Sequence, residues 1–205
     1  MTTPLIQPRL ADAALSTGVR LQYAASGAPG GDAVLFLHGY TDSWFSYSPV
    51  LPHLPPFLRA IAPSQRGHGD SERPECCYHV RDFADDAVAL LDALDVRRAT
   101  VVGHSMGSFI AQCVAVEYPE RVERLVLVGS AVYAANEAVI GLNDSVQTLA
   151  DPVPREFIVE FQASTIHAPV PPGFLEAVVD EGGEIAPAYG AESQLGNLIA
   201  DLLLA

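Results

Sequence analysis

Three short runs, Ala33-Val-Leu-Phe-Leu37, Ala99-Thr-Val-Val102 and Leu125-Val-Leu-Val128, are almost continuously apolar. A strand with one wet face alternates in polarity, whereas a strand covered on both faces does not, and such strands belong to parallel sheets packed between helices. Val19-Arg-Leu-Gln-Tyr23 does alternate and predicts a half-exposed strand. From Asp82 to Asp95, Phe83, Ala87, Leu90, Leu91 and Leu94 recur at helical spacing, with Asp85, Asp86 and Asp92 opposite them, which predicts a surface helix. Ser108 to Glu117 is apolar almost all round (Phe109, Ile110, Cys113, Val114, Val116) and predicts a helix buried against a sheet. Pro119 ends it by restricting Tyr118. Strand, helix, strand in this order predicts a doubly wound, mostly parallel α/β sheet over residues 1–135.

Beyond residue 135 the pattern changes. Pro-rich segments, Asp151-Pro-Val-Pro154 and Pro169-Val-Pro-Pro172, flank a predicted helix at 154–164 with Phe157, Ile158 and Phe161 on one face. The last 50 residues hold eight acids and no Lys or Arg, unlike the balance upstream. Residues 136–205 are therefore read as a partial cap rather than as more sheet.

Charge removes whole classes of function. The formal net charge is −14 over 205 residues, and all 11 basic residues are Arg, scattered without a cluster. A chain without Lys has neither the P-loop amine nor a Schiff-base amine, and a polyanion repels nucleic-acid phosphates and anionic membrane surfaces. No segment has the unbroken apolar length of a membrane span, and no apolar signal stretch follows the N-terminus. Cys76, Cys77 and Cys113 make an odd count, and the adjacent pair is read as poorly placed to bridge itself, so a cytoplasmic, reduced protein is expected.

The chemistry-bearing run is Gly103-His104-Ser105-Met106-Gly107, set directly between a predicted buried strand and a predicted buried helix. In that context the glycines permit a sharp strand-to-helix turn that lifts the serine hydroxyl above the sheet. His38-Gly39-Tyr40 follows the strand at 33–37, at the carboxyl end where open α/β sheets build their sites. There the backbone N–H of Tyr40 can join that of Met106 around a developing oxyanion. His68 is read as structural within its Gly-rich loop, and His104 as packing or shaping a pocket. His53 and His79 are isolated, no H-E-x-x-H, H-x-H or C-x-x-C run offers metal ligands, and no G-x-G-x-x-G run offers a dinucleotide site. No metal and no cofactor is expected.

Four stretches, Leu37-His-Gly-Tyr-Thr-Asp-Ser43, Gln65-Arg-Gly-His-Gly-Asp-Ser71, Val102-Gly-His-Ser-Met-Gly107 and Tyr118-Pro-Glu-Arg-Val-Glu-Arg-Leu-Val-Leu-Val128, together resemble the α/β-hydrolase superfamily. They are similar to its serine-nucleophile branch of esterases, perhydrolases, lactonases and carbon–carbon bond hydrolases, over roughly residues 18–131. The resemblance implies Ser105 as nucleophile, the Tyr40 and Met106 amides as oxyanion hole, and a small-molecule ester, thioester, lactone or related acyl substrate. Ser at the elbow disfavours the epoxide hydrolase and haloalkane dehalogenase activities, which use Asp there. Ser64 stands where the family usually has Asp before the Gln-Arg-Gly-His-Gly run.

The family's acid and base have no counterpart that can be assigned. The triad runs Ser, then Asp or Glu, then His in the chain, but His167 is the sole histidine after Ser105 and lies between Pro-rich segments. Gly129-Ser130-Ala131 stands where an acid is expected. The sequence ends inside an apolar helical pattern (Leu195, Leu198, Ile199, Leu202, Leu203) without a C-cap. A truncated hydrolase of weak or no activity is expected, with the strand at 124–128 as an exposed apolar edge. The alternatives are a non-catalytic ligand-binding module on the same fold, and catalysis through His167 swinging from the cap.

Overall fold

The computed structural model describes residues 7–131 and 153–182, with Gly141 and Ser145 between them. Six strands form one sheet among the described residues: β1 (Arg9–Ala14), β2 (Arg20–Gly27), β3 (Asp32–Leu37), β4 (Leu58–Pro63), β5 (Ala99–His104) and β6 (Val122–Val128). Their spatial order is β1-β2-β4-β3-β5-β6. The pairs β1–β2 and β2–β4 are antiparallel, and β4–β3, β3–β5 and β5–β6 are parallel. The expected α/β sheet is thus present, mostly parallel around β3 and β5, with an antiparallel ribbon at one side.

Strand periodicity sorts the core onto two faces. Leu35, Ile61 and Val101 turn to the side covered by α1 (Val80–Ala93) and α2 (Met106–Glu117), where they pack with Leu90, Leu91 and Ile110. Val34, Phe36, Ala60 and Ala62 turn to the other side, against Trp44 and Leu51. The central parallel strands β3 and β5 therefore pack on both faces, which is why their sequences read as continuous apolar runs. Two further helices, α3 (Arg155–Thr165) and α4 (Phe174–Gly182), follow the sheet. The first matches the helix expected at 154–164. The helical pattern near residues 195–203 lies outside the described residues.

Some local expectations are corrected. β1 and β4 carry no apolar alternation that marks them: β1 is nearly all exposed, and β4 follows a Pro-rich stretch and includes Arg59. Asp86, assigned to the wet face of α1, is buried, because Arg66 forks onto it with Nε to Oδ2 and Nη2 to Oδ1, both at 2.7 Å. Val116 of α2 is exposed, so that helix hides one side rather than all of its surface. Cys76 and Cys77, read as poorly placed to bridge, are joined in a disulfide, and Cys77 takes a left-handed backbone with φ 72°. The edge expected at 124–128 is observed: Leu125, Val126, Leu127 and Val128 of β6 are all exposed.

Candidate active site at the β5–α2 junction

β5 ends at His104 and α2 starts at Met106, leaving Ser105 alone at the junction with φ 50° and ψ −118°. A non-glycine residue in this region costs about 1–3 kcal/mol and persists only where its surroundings fix it. Here they do: the Ser105 N–H donates to the Val128 carbonyl at 3.0 Å. The Ser105 carbonyl accepts from the Ser108 N–H at 2.9 Å and from the Ser108 hydroxyl at 2.6 Å.

The flanking glycines are explained by close backbone approach. A β-carbon on Gly103 would stand 2.2 Å from the Gly107 carbonyl oxygen, and one on Gly107 would stand 2.1 Å from the Leu37 oxygen and 2.6 Å from the His38 oxygen. The start of α2 therefore rests directly on the end of β3. This contact brings Met106 to the loop that carries Tyr40. As the first residue of a helix, Met106 has an N–H without an intrahelical acceptor. Tyr40 is buried, its ring edge-on to Phe161 of α3 and to His68. Burial pushes the Tyr40 phenol up to about 12.

The loop after β3 is tied down by His38. Its Nδ1–H donates to the Gly39 carbonyl at 2.8 Å, and its Nε2 accepts from the Gln65 N–H at 2.9 Å. Both ring nitrogens are used, so His38 is a neutral brace between the β3 and β4 loops. His68 likewise donates from Nδ1 to the Arg66 carbonyl at 2.8 Å, in keeping with a structural role. Burial lowers the pKa of both imidazoles, His68 to about 3 from the ordinary 6.5. A base whose folded pKa is depressed leaves the folded chain binding fewer protons than the unfolded one, so stability rises with pH in that window. Stability is therefore expected to fall as pH drops from about 6.5 towards 3. Urea midpoints from pH 7 to 4 check this, and His68→Gln should flatten the slope.

Two polar residues at the site, Asp42 and Gln162, were not singled out by sequence, and His104, read as packing or shaping a pocket, lies beside them. Asp42 is buried in the loop after β3. Its Oδ2 accepts from the Gly39 N–H at 3.2 Å, and its Oδ1 accepts from the Gln162 amide at 2.6 Å. Gln162, on α3, also donates to the Thr41 hydroxyl at 2.8 Å, so α3 holds the loop after β3 directly. His104 Nδ1 lies 3.7 Å from Asp42 Oδ2, beyond hydrogen-bond distance. Burial pushes the Asp42 carboxyl up, but the His104 and His38 rings and the Gln162 amide outweigh it and hold it below its ordinary value. A sequence signal for Gln162 did exist, since it follows the predicted core residue Ile158 at helical spacing. Asp42 had no such pattern.

A β-carbon on Gly39 would stand 3.0 Å from Asp42 Oδ2, 3.2 Å from His104 Nδ1 and 3.3 Å from the Ser105 β-carbon, so these groups share one small space. It adjoins a cavity of about 400 Å³ whose polar lining includes Asp42, His104 and Gln162. Phe36, Val102, Val128, Phe174 and Leu175 line its apolar part. The aromatic residues just after the β3 loop differ in their placement. Trp44 packs in the core, while Tyr47 lines the cavity and donates its hydroxyl to the Leu37 carbonyl at 2.8 Å. His167 is exposed, as are His53 and His79. Among the described residues no group of three or more His, Cys, Asp or Glu is placed to hold a metal ion, and no helix is long and apolar enough to cross a membrane.

Comparison with known proteins places this geometry in a family. The family model for the alpha/beta hydrolase fold matches residues 32–177, from β3 into α4. A 2-hydroxymuconate semialdehyde hydrolase of Pseudomonas sp. strain CF600 is 38% identical over 154 residues, which are 71% of this chain and 54% of that protein. A 2-(acetamidomethylene)succinate hydrolase of Mesorhizobium japonicum is 36% identical over 112 residues, 55% of this chain and 40% of that one. The chain thus spans about half the length, or less, of these curated relatives. A crystal structure of a hydrolase from Pseudomonas aeruginosa PA01 superposes with a TM-score of 0.70 at 26% identity, covering 95% of this chain and 72% of that one. With the strand–Ser105–helix junction and the matched residues agreeing, the chain belongs to the α/β-hydrolase fold family.

Proposed function

We propose that this chain carries the nucleophile and oxyanion hole of a serine hydrolase acting on an ester, thioester, lactone or related acyl group. One observation carries the reading: Ser105 sits in a left-handed backbone at the strand–helix junction, next to a cavity, with the Met106 N–H brought beside the Tyr40 loop. Ser105 Oγ attacks the acyl carbon as its proton passes to water, the carbonyl π pair moves onto oxygen, and the N–H groups of Tyr40 and Met106 receive the resulting charge; collapse of that oxyanion expels the alcohol, thiol or ring oxygen, which takes a proton from water. Donors fixed in this way are worth about 3 kcal/mol each in comparable sites. α3 and α4 act as a cap over the cavity. Both relatives above are named hydrolases of small molecules, which supports hydrolysis.

A reactive fluorophosphonate incubated with the full chain should leave one adduct, located on Ser105 by peptide mass spectrometry and absent from Ser105→Ala. Equal labelling of the variant overturns the assignment. A ligand-binding module without turnover is the second reading. It is favoured by His38 having both nitrogens engaged and by His167 standing exposed and outside the residues that line the cavity. Hydrolysis that depends on Ser105 excludes it.

A further inference from the structure

We infer that the cavity beside Ser105 selects uncharged acyl groups and repels carboxylates, with Asp42 as the discriminating residue. This rests on the acyl-substrate reading but concerns which acyl groups enter. Asp42 presents a buried carboxylate at the cavity's polar end, and its near partners are the Gly39 N–H, the Gln162 amide and the His104 ring. None of these is a permanent cation. The sequence has no Lys, and none of its Arg residues lines the cavity.

The Arg side chains in this half of the molecule are engaged elsewhere. Arg66 is locked onto Asp86, Arg73 donates to the Gly69 carbonyl, and Arg155 pairs with Asp180. No Arg occurs in the sequence after Arg155, nor between residues 132 and 152. Along this chain a bound carboxylate would therefore meet a like charge in a partly desolvated space with no guanidinium to answer it, an arrangement that recognition sites use to exclude a ligand. An amide, alcohol or ketone in the same place meets no such repulsion, and a donor on it finds Asp42 as acceptor.

Hexanamide and hexanoate, equal in chain length and unlike in charge, test this without requiring turnover. Their affinities for the full chain are read from amide chemical shifts in 1H–15N NMR spectra at pH 7.5. Hexanamide is expected to bind at least about tenfold more tightly. Asp42→Asn should narrow the gap. Because that variant perturbs a buried hydrogen-bonded group, Val50→Arg provides a second check. Val50 lines the cavity and is 45% exposed, so an arginine there adds a cation without entering the core, and hexanoate binding should improve. Hexanoate binding as tightly as hexanamide to the unmodified chain, or neither binding, overturns the inference. A preference for hexanamide in a chain whose Ser105 takes no fluorophosphonate adduct leaves the inference standing and removes the serine-hydrolase reading.

Discussion

Replacing Asp86 by Ala is expected to cost about 3–5 kcal/mol of stability, the usual result of stripping a buried cation of its partner. The Arg66 and Asp86 side chains are only 5% and 3% exposed, and the guanidinium makes two 2.7 Å bonds to the carboxylate. A further guanidinium N–H donates to the Cys77 carbonyl at 2.5 Å, while the Thr17 hydroxyl donates to Asp86 at 2.6 Å. One carboxylate thus fastens α1, the loop after β4 and the turn before β2. For a chain of this size the melting temperature should drop by about 10 °C. A fall in the urea midpoint without a change in slope identifies a loss of stability alone. A loss below about 1 kcal/mol would mean that water reaches Arg66 once the carboxylate is gone.

Gly107→Ala is expected to damage the site at least as much as the fold. Its new carbon would stand 2.1 Å from the Leu37 oxygen and 2.6 Å from the His38 oxygen, both backbone atoms that cannot rotate away. Either α2 retreats from β3 or the His38-Gly39-Tyr40 loop moves. Both separate the Met106 and Tyr40 amides. Overpacking of this kind costs about 1–3 kcal/mol, and a displacement near 1 Å slows a positioned reaction by about 100-fold. The rate of fluorophosphonate adduct formation at Ser105, measured well below the melting temperature, separates the two effects. Gly30→Ala is the control: nothing lies within 4 Å of its added carbon, and its stability should change by less than about 0.5 kcal/mol. A Gly107→Ala chain that labels as fast as the parent would show that the contact between α2 and β3 does not set the site.

The parallel centre of the sheet was legible because burial on two faces leaves a mark in composition: Leu35 and Phe36 are neighbours in sequence yet belong to opposite cores. β1 leaves no such mark. Its residues are mostly exposed, and its place follows from pairing with β2. The Ser105 junction was legible because close backbone approach demands glycine at two fixed positions, and glycine is visible in a sequence. The pairings of Asp42 with Gln162 and of Asp86 with Arg66 were not, since each joins residues far along the chain: Gln162 is 120 residues from Asp42, and Arg66 is 20 from Asp86. No local period encodes such a pairing. The Cys76–Cys77 bridge goes with a left-handed backbone at Cys77, which no pattern in the sequence marks.

The two hydrogen bonds from Gln162 to Thr41 and Asp42 have a dynamic meaning. They tie the α3 helix to the loop bearing the Tyr40 amide, so that a fluctuation lifting α3 is expected also to release that loop, which the proposed mechanism needs rigid when charge develops. Access and readiness then alternate in time, and amide protons at Gly39 and Gln162 exchange with solvent at a common rate.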